Sequence, residues 1–265
     1  MDAAIGRFTA QVEHPSTIKF ALPIVLVPEM FTTRTHLATL IGYLATSGWE
    51  VYAPDFRAAA GRDDTPALGR LGFRGLLALA DEFINAIGRD VIVMGHGMGG
   101  LIALAIAERP RVRAAIALAP ALPGFPTPLL LRPAMLFALL RRAPLKPPRG
   151  KRLSEFLADA ETFKQPGLIK ALVADAGRIA LETARGRIRI ARFAEAAPRL
   201  IIAGALDPFA PMPRVSVFAG EIGARLVMLA DRGHWIIGAR AIDRVASETE
   251  RFLRRTLGPE FLLTH

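Results

Sequence analysis

The stretch that decides the fold is VIVMGHGMGGLIAL, residues 91–104. Four apolar residues run directly into a cluster of four glycines, and an alanine-rich apolar run follows. A short, continuously apolar run that ends at glycine is typical of a buried strand, and the second run is long enough for a helix. The stretch therefore predicts a strand, a tight turn and a helix, which is the repeating unit of α/β folds.

Strand-like and helix-like segments alternate on both sides of this unit. The predicted strands are residues 19–28, 49–56, 90–95, 112–120, 199–205 and 225–230, and the predicted helices are residues 33–48, 74–89, 99–110 and 239–256. Short apolar strands separated by amphipathic helices indicate a parallel sheet that is covered on both faces. The predicted class is therefore α/β, with a mostly parallel central sheet and helices on both faces.

The segment 122–192 interrupts this alternation. It is rich in proline at first and has helical spacing of apolar residues later. We interpret it as a helical cap inserted over one end of the sheet, so the predicted core is residues 1–121 and 193–265. The sequence shows no internal repeat.

Composition limits the class of protein. A chain of 265 residues that is 52% hydrophobic can bury a sizeable core as one folded unit. The absence of cysteine excludes disulfides and thiolate chemistry, and we expect a cytoplasmic protein. We expect neither a signal peptide nor a transmembrane helix, because no apolar run approaches about 20 residues.

The formal net charge of +10 is unevenly distributed, because no acidic residue occurs between Arg109 and Ser154. One interpretation is a general arginine bias on a solvated surface. The other is a basic face that contacts an anionic membrane, an acidic ligand or an acidic partner. Nucleic acid is not an expected partner, since aromatic residues are not interleaved with the basic ones.

Three features of the sequence together resemble the active-site pattern of a known protein family. Gly95, Gly97 and Gly99 have the spacing of the nucleophile elbow G-x-S-x-G, with Gly97 at its centre. Asp207 follows one late strand and His234 follows the next. In this order the chain resembles the α/β-hydrolase fold superfamily over nearly all of its length outside the cap. The resemblance implies a catalytic His234–Asp207 pair beside a vacant nucleophile position at residue 97.

A second departure from the family pattern follows the first central strand. The family usually carries His-Gly there, and this chain has Pro28 and Glu29. The resemblance implies that the backbone N–H groups of Met30 and Met98 form the oxyanion hole. A Glu29 side chain that faced this hole would oppose a developing negative charge. The alternative is that Glu29 points to solvent or pairs with an arginine.

Glycine at position 97 keeps the turn but removes the attacking oxygen. Glycine adopts positive φ without steric cost, whereas loss of a triad nucleophile costs on the order of 10⁶ in kcat. We favour an enzyme of hydrolase or lyase type, in which His234 and Asp207 act as a general base on water in the vacated space or on the substrate itself. A catalytically inactive homologue that binds an apolar ligand or a protein partner stays open. An engineered knockout is disfavoured, because it would leave the His-Gly loop intact.

The expected ligand is small, apolar and carbonyl-containing, such as an ester, a thioester or a lactone. The candidate ligand-contacting residues are Glu29, Phe31, His96, Phe125, Met135 and Trp235. We expect no metal and no cofactor, since the sequence contains neither a metal-binding motif nor a nucleotide-binding motif. The substrate and the oligomeric state are left open.

Overall fold

The structure is a computed structural model of the chain, and it describes residues 1–60, 65–125, 144–190, 192 and 196–258. These residues form an eight-stranded sheet in the order β1-β2-β4-β3-β5-β6-β7-β8. The strands are β1 (Asp2–Ile5), β2 (Phe8–Glu13), β3 (Ile24–Val27), β4 (Val51–Pro54), β5 (Val91–His96), β6 (Val112–Leu118), β7 (Arg199–Gly204) and β8 (Arg225–Leu229). The β1–β2 and β2–β4 pairs are antiparallel and all the others are parallel.

Helices connect the parallel strands. They are α1 (Arg34–Thr46), α2 (Phe56–Ala59), α3 (Thr65–Arg70), α4 (Phe73–Ile87), α5 (Met98–Ile106), α6 (Lys151–Phe156), α7 (Gln165–Lys170), α8 (Gly177–Ala184), α9 (Met212–Ile222) and α10 (Ile242–Leu257). Helices α1 and α10 pack on one face of the sheet, and α4, α5 and α9 pack on the other.

Central strand β5 shows why the sheet needs both layers. Val91 and Val93 belong to one apolar cluster, whereas Ile92 and Met94 belong to the cluster on the opposite face. All six residues of this strand are buried, which agrees with a strand covered on both sides. The predicted α/β class, with a mostly parallel sheet and helices on both faces, is confirmed.

Two features at the edges go beyond the sequence prediction. The N-terminal residues form the antiparallel hairpin of β1 and β2, which the sequence analysis did not assign. The described part of the segment 122–192 contains the short helices α6, α7 and α8 and contributes no strand to the sheet. The interpretation of this segment as a separate cap stays a prediction. In the part of the chain that the structure describes, no helix is both long and apolar enough to cross a bilayer.

Candidate active site

The predicted elbow lies between β5 and α5. Gly97 has φ 52° and ψ −113°, a conformation that side-chain-bearing residues rarely adopt. Its N–H donates to the Leu118 carbonyl at 2.9 Å, and its carbonyl accepts from Leu101 N at 3.1 Å. Gly99 lies against the β3 backbone, where a Cβ would overlap the Val27 carbonyl. The strand–turn–helix geometry of an elbow is therefore present without a nucleophile.

The Glu29 side chain fills the space that a serine would occupy. A Cβ built on Gly97 would overlap the Glu29 carboxylate. Glu29 Oε1 accepts from Met30 N at 2.5 Å and from Met98 N at 3.0 Å, so both predicted oxyanion donors are already bound. Met98 is the first residue of α5, and the positive end of the helix dipole favours this anion. The structure thus places Glu29 inside the site, not at the surface or beside an arginine.

His234 and Asp207 lie together as the resemblance implied. His234 Nδ1 is 2.9 Å from Asp207 Oδ2, and Asp207 Oδ1 accepts from the N–H groups of Phe209 and Ala210. The other ring nitrogen of His234, Nε2, faces Glu29 Oε2 at 3.4 Å. The imidazole therefore lies between two carboxylates.

This arrangement fixes the charge of the ring. Burial lowers the pKa of His234, but the charges and hydrogen bonds of Asp207 and Glu29 outweigh it and raise the pKa to about 10. For Asp207, burial alone would raise the pKa. The charge and hydrogen bond of His234, together with two backbone N–H groups, outweigh burial, so the pKa of Asp207 is lowered. At neutral pH the His234 ring is therefore an imidazolium and not a free base.

His96 is the second buried histidine of the site. Its Nε2 lies 2.9 Å from the His234 carbonyl oxygen, and its Nδ1 is buried with no hydrogen-bond partner in the described part of the chain. Burial, followed by the charge of His234, lowers the pKa of His96 to about 4, so the ring is neutral. Glu29, His96 and His234 together offer three ligand atoms that could hold a metal ion, although the sequence analysis predicted none.

A buried ion pair anchors the loop that carries Glu29. Asp175 Oδ2 accepts from Phe31 N at 2.8 Å and from Arg57 Nη1 at 2.6 Å. Arg57 also donates to the Thr32 carbonyl. Phe31 has φ 65°, a strained conformation for a side-chain-bearing residue that persists only where surrounding contacts hold it. Sequence analysis missed this pair, because its partners are 118 residues apart.

A small apolar cavity adjoins the carboxylate and the imidazole. Its volume is about 30 Å³, and its lining comprises Glu29, Met30, Phe31, Met98, Pro120, Ala121, Phe156, Thr183, Phe209 and His234. One ordered water needs roughly 10–15 Å³ on this measure, so the cavity has room for a water but not for a large ligand. A wider cleft of about 760 Å³ lies elsewhere and is rich in arginine.

Several predicted ligand contacts lie outside this cavity. Phe31 lines it as expected. His96 and Trp235 are instead 0% and 2% exposed and pack against each other in the core. Phe125 packs against the core without reaching the cavity. Met135 lies outside the described residues. Phe156 and Phe209, which the sequence analysis did not name, line the cavity instead; Phe209 lies two residues after Asp207.

Comparisons with known proteins agree with this fold. The model of the family described as "Alpha/beta hydrolase family" matches residues 24–248. No curated protein sequence gives a significant match. The fold is similar to that of a soluble variant of monoglyceride lipase from Saccharomyces cerevisiae, with 16% identity, TM-score 0.69, 97% of this chain and 94% of that chain covered.

Two further solved structures show the same fold. One is a thioesterase domain from the curacin biosynthetic pathway, with 17% identity, TM-score 0.64, 96% of this chain and 98% of that chain covered. The other is described among novel epoxide hydrolases from metagenomes of hot environments, with 16% identity, TM-score 0.62 and coverage of 96% and 97%. Since the family model spans most of the sequence, this chain belongs to the alpha/beta hydrolase family.

Proposed function

We propose that the chain is a hydrolase that acts on a small apolar substrate without a serine, using the Glu29 carboxylate as nucleophile and the His234–Asp207 pair to handle protons. One observation carries this proposal: Glu29 Oε2 occupies the nucleophile's place beside His234, while Oε1 is held by the oxyanion donors. A carboxylate in this position is equipped for attack on carbon and for hydrolysis of the resulting ester.

The resting geometry disfavours direct attack of water on a bound carbonyl, which was the expectation from sequence. The space expected to hold a water or a substrate carbonyl contains Glu29, and Met30 N and Met98 N are not free to bind a substrate oxyanion. Since the pKa of His234 is about 10, this ring cannot accept a proton while Glu29 is ionised. We therefore assign proton transfer from water to a later step.

The first step of the proposed reaction forms a glutamyl ester. A lone pair of Glu29 Oε2 attacks a saturated carbon, and the bond from that carbon to its leaving oxygen breaks. The leaving alkoxide takes the proton of His234 Nε2, so the imidazole becomes neutral as the negative charge of Glu29 disappears. A small apolar epoxide fits this step, because its leaving oxygen needs a proton and stays attached to the product.

The second step hydrolyses that ester. Neutral His234, oriented by Asp207, takes a proton from a water, and the resulting hydroxide attacks Glu29 Cδ. The negative charge develops on Oε1, which already accepts two backbone N–H bonds. The tetrahedral intermediate then expels Oε2 with the product, protonated by His234. The new carboxyl group returns its proton to the ring, which restores the starting charges.

A second candidate function is binding without chemistry. The specific observation in its favour is the size of the cavity, about 30 Å³ among the described residues, beside a Glu29 carboxylate that already accepts from both backbone N–H groups. In this alternative Glu29 replaces a bound anionic group and closes the site. The protein would then bind an apolar ligand or a protein partner elsewhere.

A substrate panel tests the two candidates. We would measure turnover of styrene oxide derivatives and p-nitrophenyl esters by the wild-type chain, by Glu29→Gln and by His234→Gln. The matched control is Glu248→Gln, because Glu29 and Glu248 are both 8% exposed and Glu248 pairs with arginine at another place in the fold. We expect epoxide turnover that both site variants lower by on the order of 10⁴-fold or more and that the control retains.

The outcomes separate the alternatives. In the wild-type chain, rapid acid quenching should trap an adduct of substrate mass on the peptide that contains Glu29, whereas His234→Gln should form little adduct, because the first step needs the proton of His234 Nε2. Ester turnover that survives Glu29→Gln would contradict the carboxylate nucleophile and return the function to general-base catalysis on a carbonyl. No turnover of either substrate class would favour the binding protein.

A further inference from the structure

Three side chains from the ends of different strands and the loops that follow them converge beside the elbow. Glu29, His96 and His234 each offer one ligand atom, and these atoms all lie within 4.8 Å of one another. Zinc binds histidine nitrogen and carboxylate oxygen at about 2.0–2.2 Å in tetrahedral geometry, so two ligands of one ion are roughly 3.3–3.6 Å apart. Glu29 Oε2 and His234 Nε2, at 3.4 Å, already have this separation. A shift of up to about 1.2 Å brings the His96 ligand atom within reach as well.

Both imidazole rings have the surroundings of metal-bound histidines. A histidine that binds a metal donates its other ring N–H to a carboxylate or a backbone carbonyl, which fixes the tautomer. His234 Nδ1 faces Asp207 Oδ2 at 2.9 Å, and His96 Nε2 faces the His234 carbonyl oxygen at 2.9 Å. Each ring therefore directs its other nitrogen to a further group, and at His234 Nε2 a metal ion would displace the proton that faces Glu29.

The second independent observation is an unsatisfied atom. His96 is fully buried, and its Nδ1 has no hydrogen-bond partner among the residues that the structure describes. A buried polar atom without a partner is uncommon and indicates a bound group or a functional role. A metal ion held jointly with Glu29 and His234 would bind this nitrogen.

We propose that Glu29, His96 and His234 bind one divalent transition-metal ion of the zinc class, with a fourth position open to the adjoining cavity. Two imidazoles and one carboxylate with an open position form a ligand set that zinc and ferrous iron occupy in proteins. Magnesium and calcium prefer oxygen ligands and do not suit two nitrogens. The chain has no cysteine, so thiolate sites do not compete for the ion.

The inference goes beyond the proposed reaction and does not rest on it. A bound ion takes Glu29 Oε2 and His234 Nε2, the same atoms that the proposed reaction uses. Metal binding and turnover therefore exclude each other, and zinc acts as an inhibitor. Because the tests below measure binding, they can fail or succeed whether or not the enzyme reaction is correct.

Calorimetric titration of the tag-free chain with zinc chloride is the first test. We expect one ion per chain, with affinity at least tenfold lower in Glu29→Gln and in His96→Gln. His14→Gln is the matched control, because His14 pairs with Glu50 in a more exposed histidine–carboxylate contact, and it should leave the affinity unchanged. Absence of zinc binding, or equal affinity in the site variants and the control, overturns the proposal.

A second measurement needs no substitution at the fully buried His96. X-ray absorption at the zinc edge of the wild-type chain, loaded with one equivalent, should show two imidazole ligands and oxygen at zinc–carboxylate distance. A tenfold excess of magnesium should leave that spectrum unchanged. A shell of oxygen alone, or a spectrum with fewer than two imidazoles, contradicts the assigned ligands.

Discussion

Adding one methyl group at Gly97 tests whether Glu29 occupies the nucleophile position. In Gly97→Ala the new Cβ overlaps the Glu29 carboxylate, so this side chain must leave the N–H groups of Met30 and Met98 and the His234 ring. The new alanine must also keep φ near 52°. Both effects destabilise the chain, but only the first depends on Glu29.

The two effects have separable magnitudes. An unfavourable backbone conformation costs about 1–3 kcal/mol, and breaking a buried ion pair costs roughly 3–5 kcal/mol. We therefore expect Gly97→Ala to lower the free energy of unfolding by about 4 kcal/mol or more. In a Glu29→Gly background the carboxylate is absent, and the same substitution should cost only about 1–3 kcal/mol. The expected coupling is about 3 kcal/mol, at the upper end for residues in contact.

Urea unfolding at pH 7, followed by circular dichroism, measures this cycle. Gly42→Ala is the control, because α1 leaves open space around Gly42; it should stabilise the chain by up to about 1 kcal/mol in both backgrounds. If Gly97→Ala and Glu29→Gly are additive within about 0.5 kcal/mol, the carboxylate does not occupy the elbow and the reasoning is refuted.

Three further predictions concern the same network. Gly97→Ser alone should stay inactive on p-nitrophenyl esters, whereas Gly97→Ser with Glu29→Gly should gain turnover, because only the double variant removes the displaced Glu29 carboxylate, whose negative charge opposes a developing oxyanion; equal activity of the two variants contradicts this. The pKa of His234 is raised to about 10 from 6.5, so its contribution to stability is complete below pH 6.5 and disappears as pH rises towards 10. Urea unfolding should show a fall of up to about 1.4 kcal/mol per pH unit, which His234→Gln should flatten. Arg57→Met leaves Asp175 buried and unpaired and should lower unfolding free energy by about 3–5 kcal/mol; a loss below 1 kcal/mol would show that the pair does not anchor the loop.

The ion pair between Arg7 and Glu82 provides the control for the last of these predictions. Both side chains are about half exposed, so Arg7→Met should leave the free energy of unfolding close to that of the wild-type chain. A similar loss in both arginine variants would mean that the effect does not come from burial.

The parts of the fold that follow local pattern were predictable. Continuous apolar runs predicted the strands of the parallel sheet, and the glycine cluster after Met94 predicted the elbow. The N-terminal hairpin was missed, although Phe8, Ala10 and Val12 of β2 alternate with more exposed residues. Such alternation is typical of a half-buried strand, and it would have been sufficient to predict β2.

The site was only partly predictable, because side-chain direction depends on distant contacts. The chain order of Asp207 and His234 predicted their pairing, which the geometry shows. The Glu29 side chain points inward because Arg57 and Asp175, from distant parts of the chain, anchor its loop. No local sequence pattern predicts the contact between Arg57 and Asp175. The orientation of the His96 ring likewise depends on a contact with the His234 carbonyl, which lies 138 residues away in the sequence.

The measurement that tests the central claim most directly is a single turnover in ¹⁸O-labelled water, with enzyme in excess over the epoxide that the panel identifies. If Glu29 is the nucleophile, its own oxygen leaves with the product, and mass spectrometry should find the label in the Glu29 peptide and none in the first product. A first product that carries the label, with an unlabelled Glu29 peptide, would show that water attacks the substrate directly and would contradict the account.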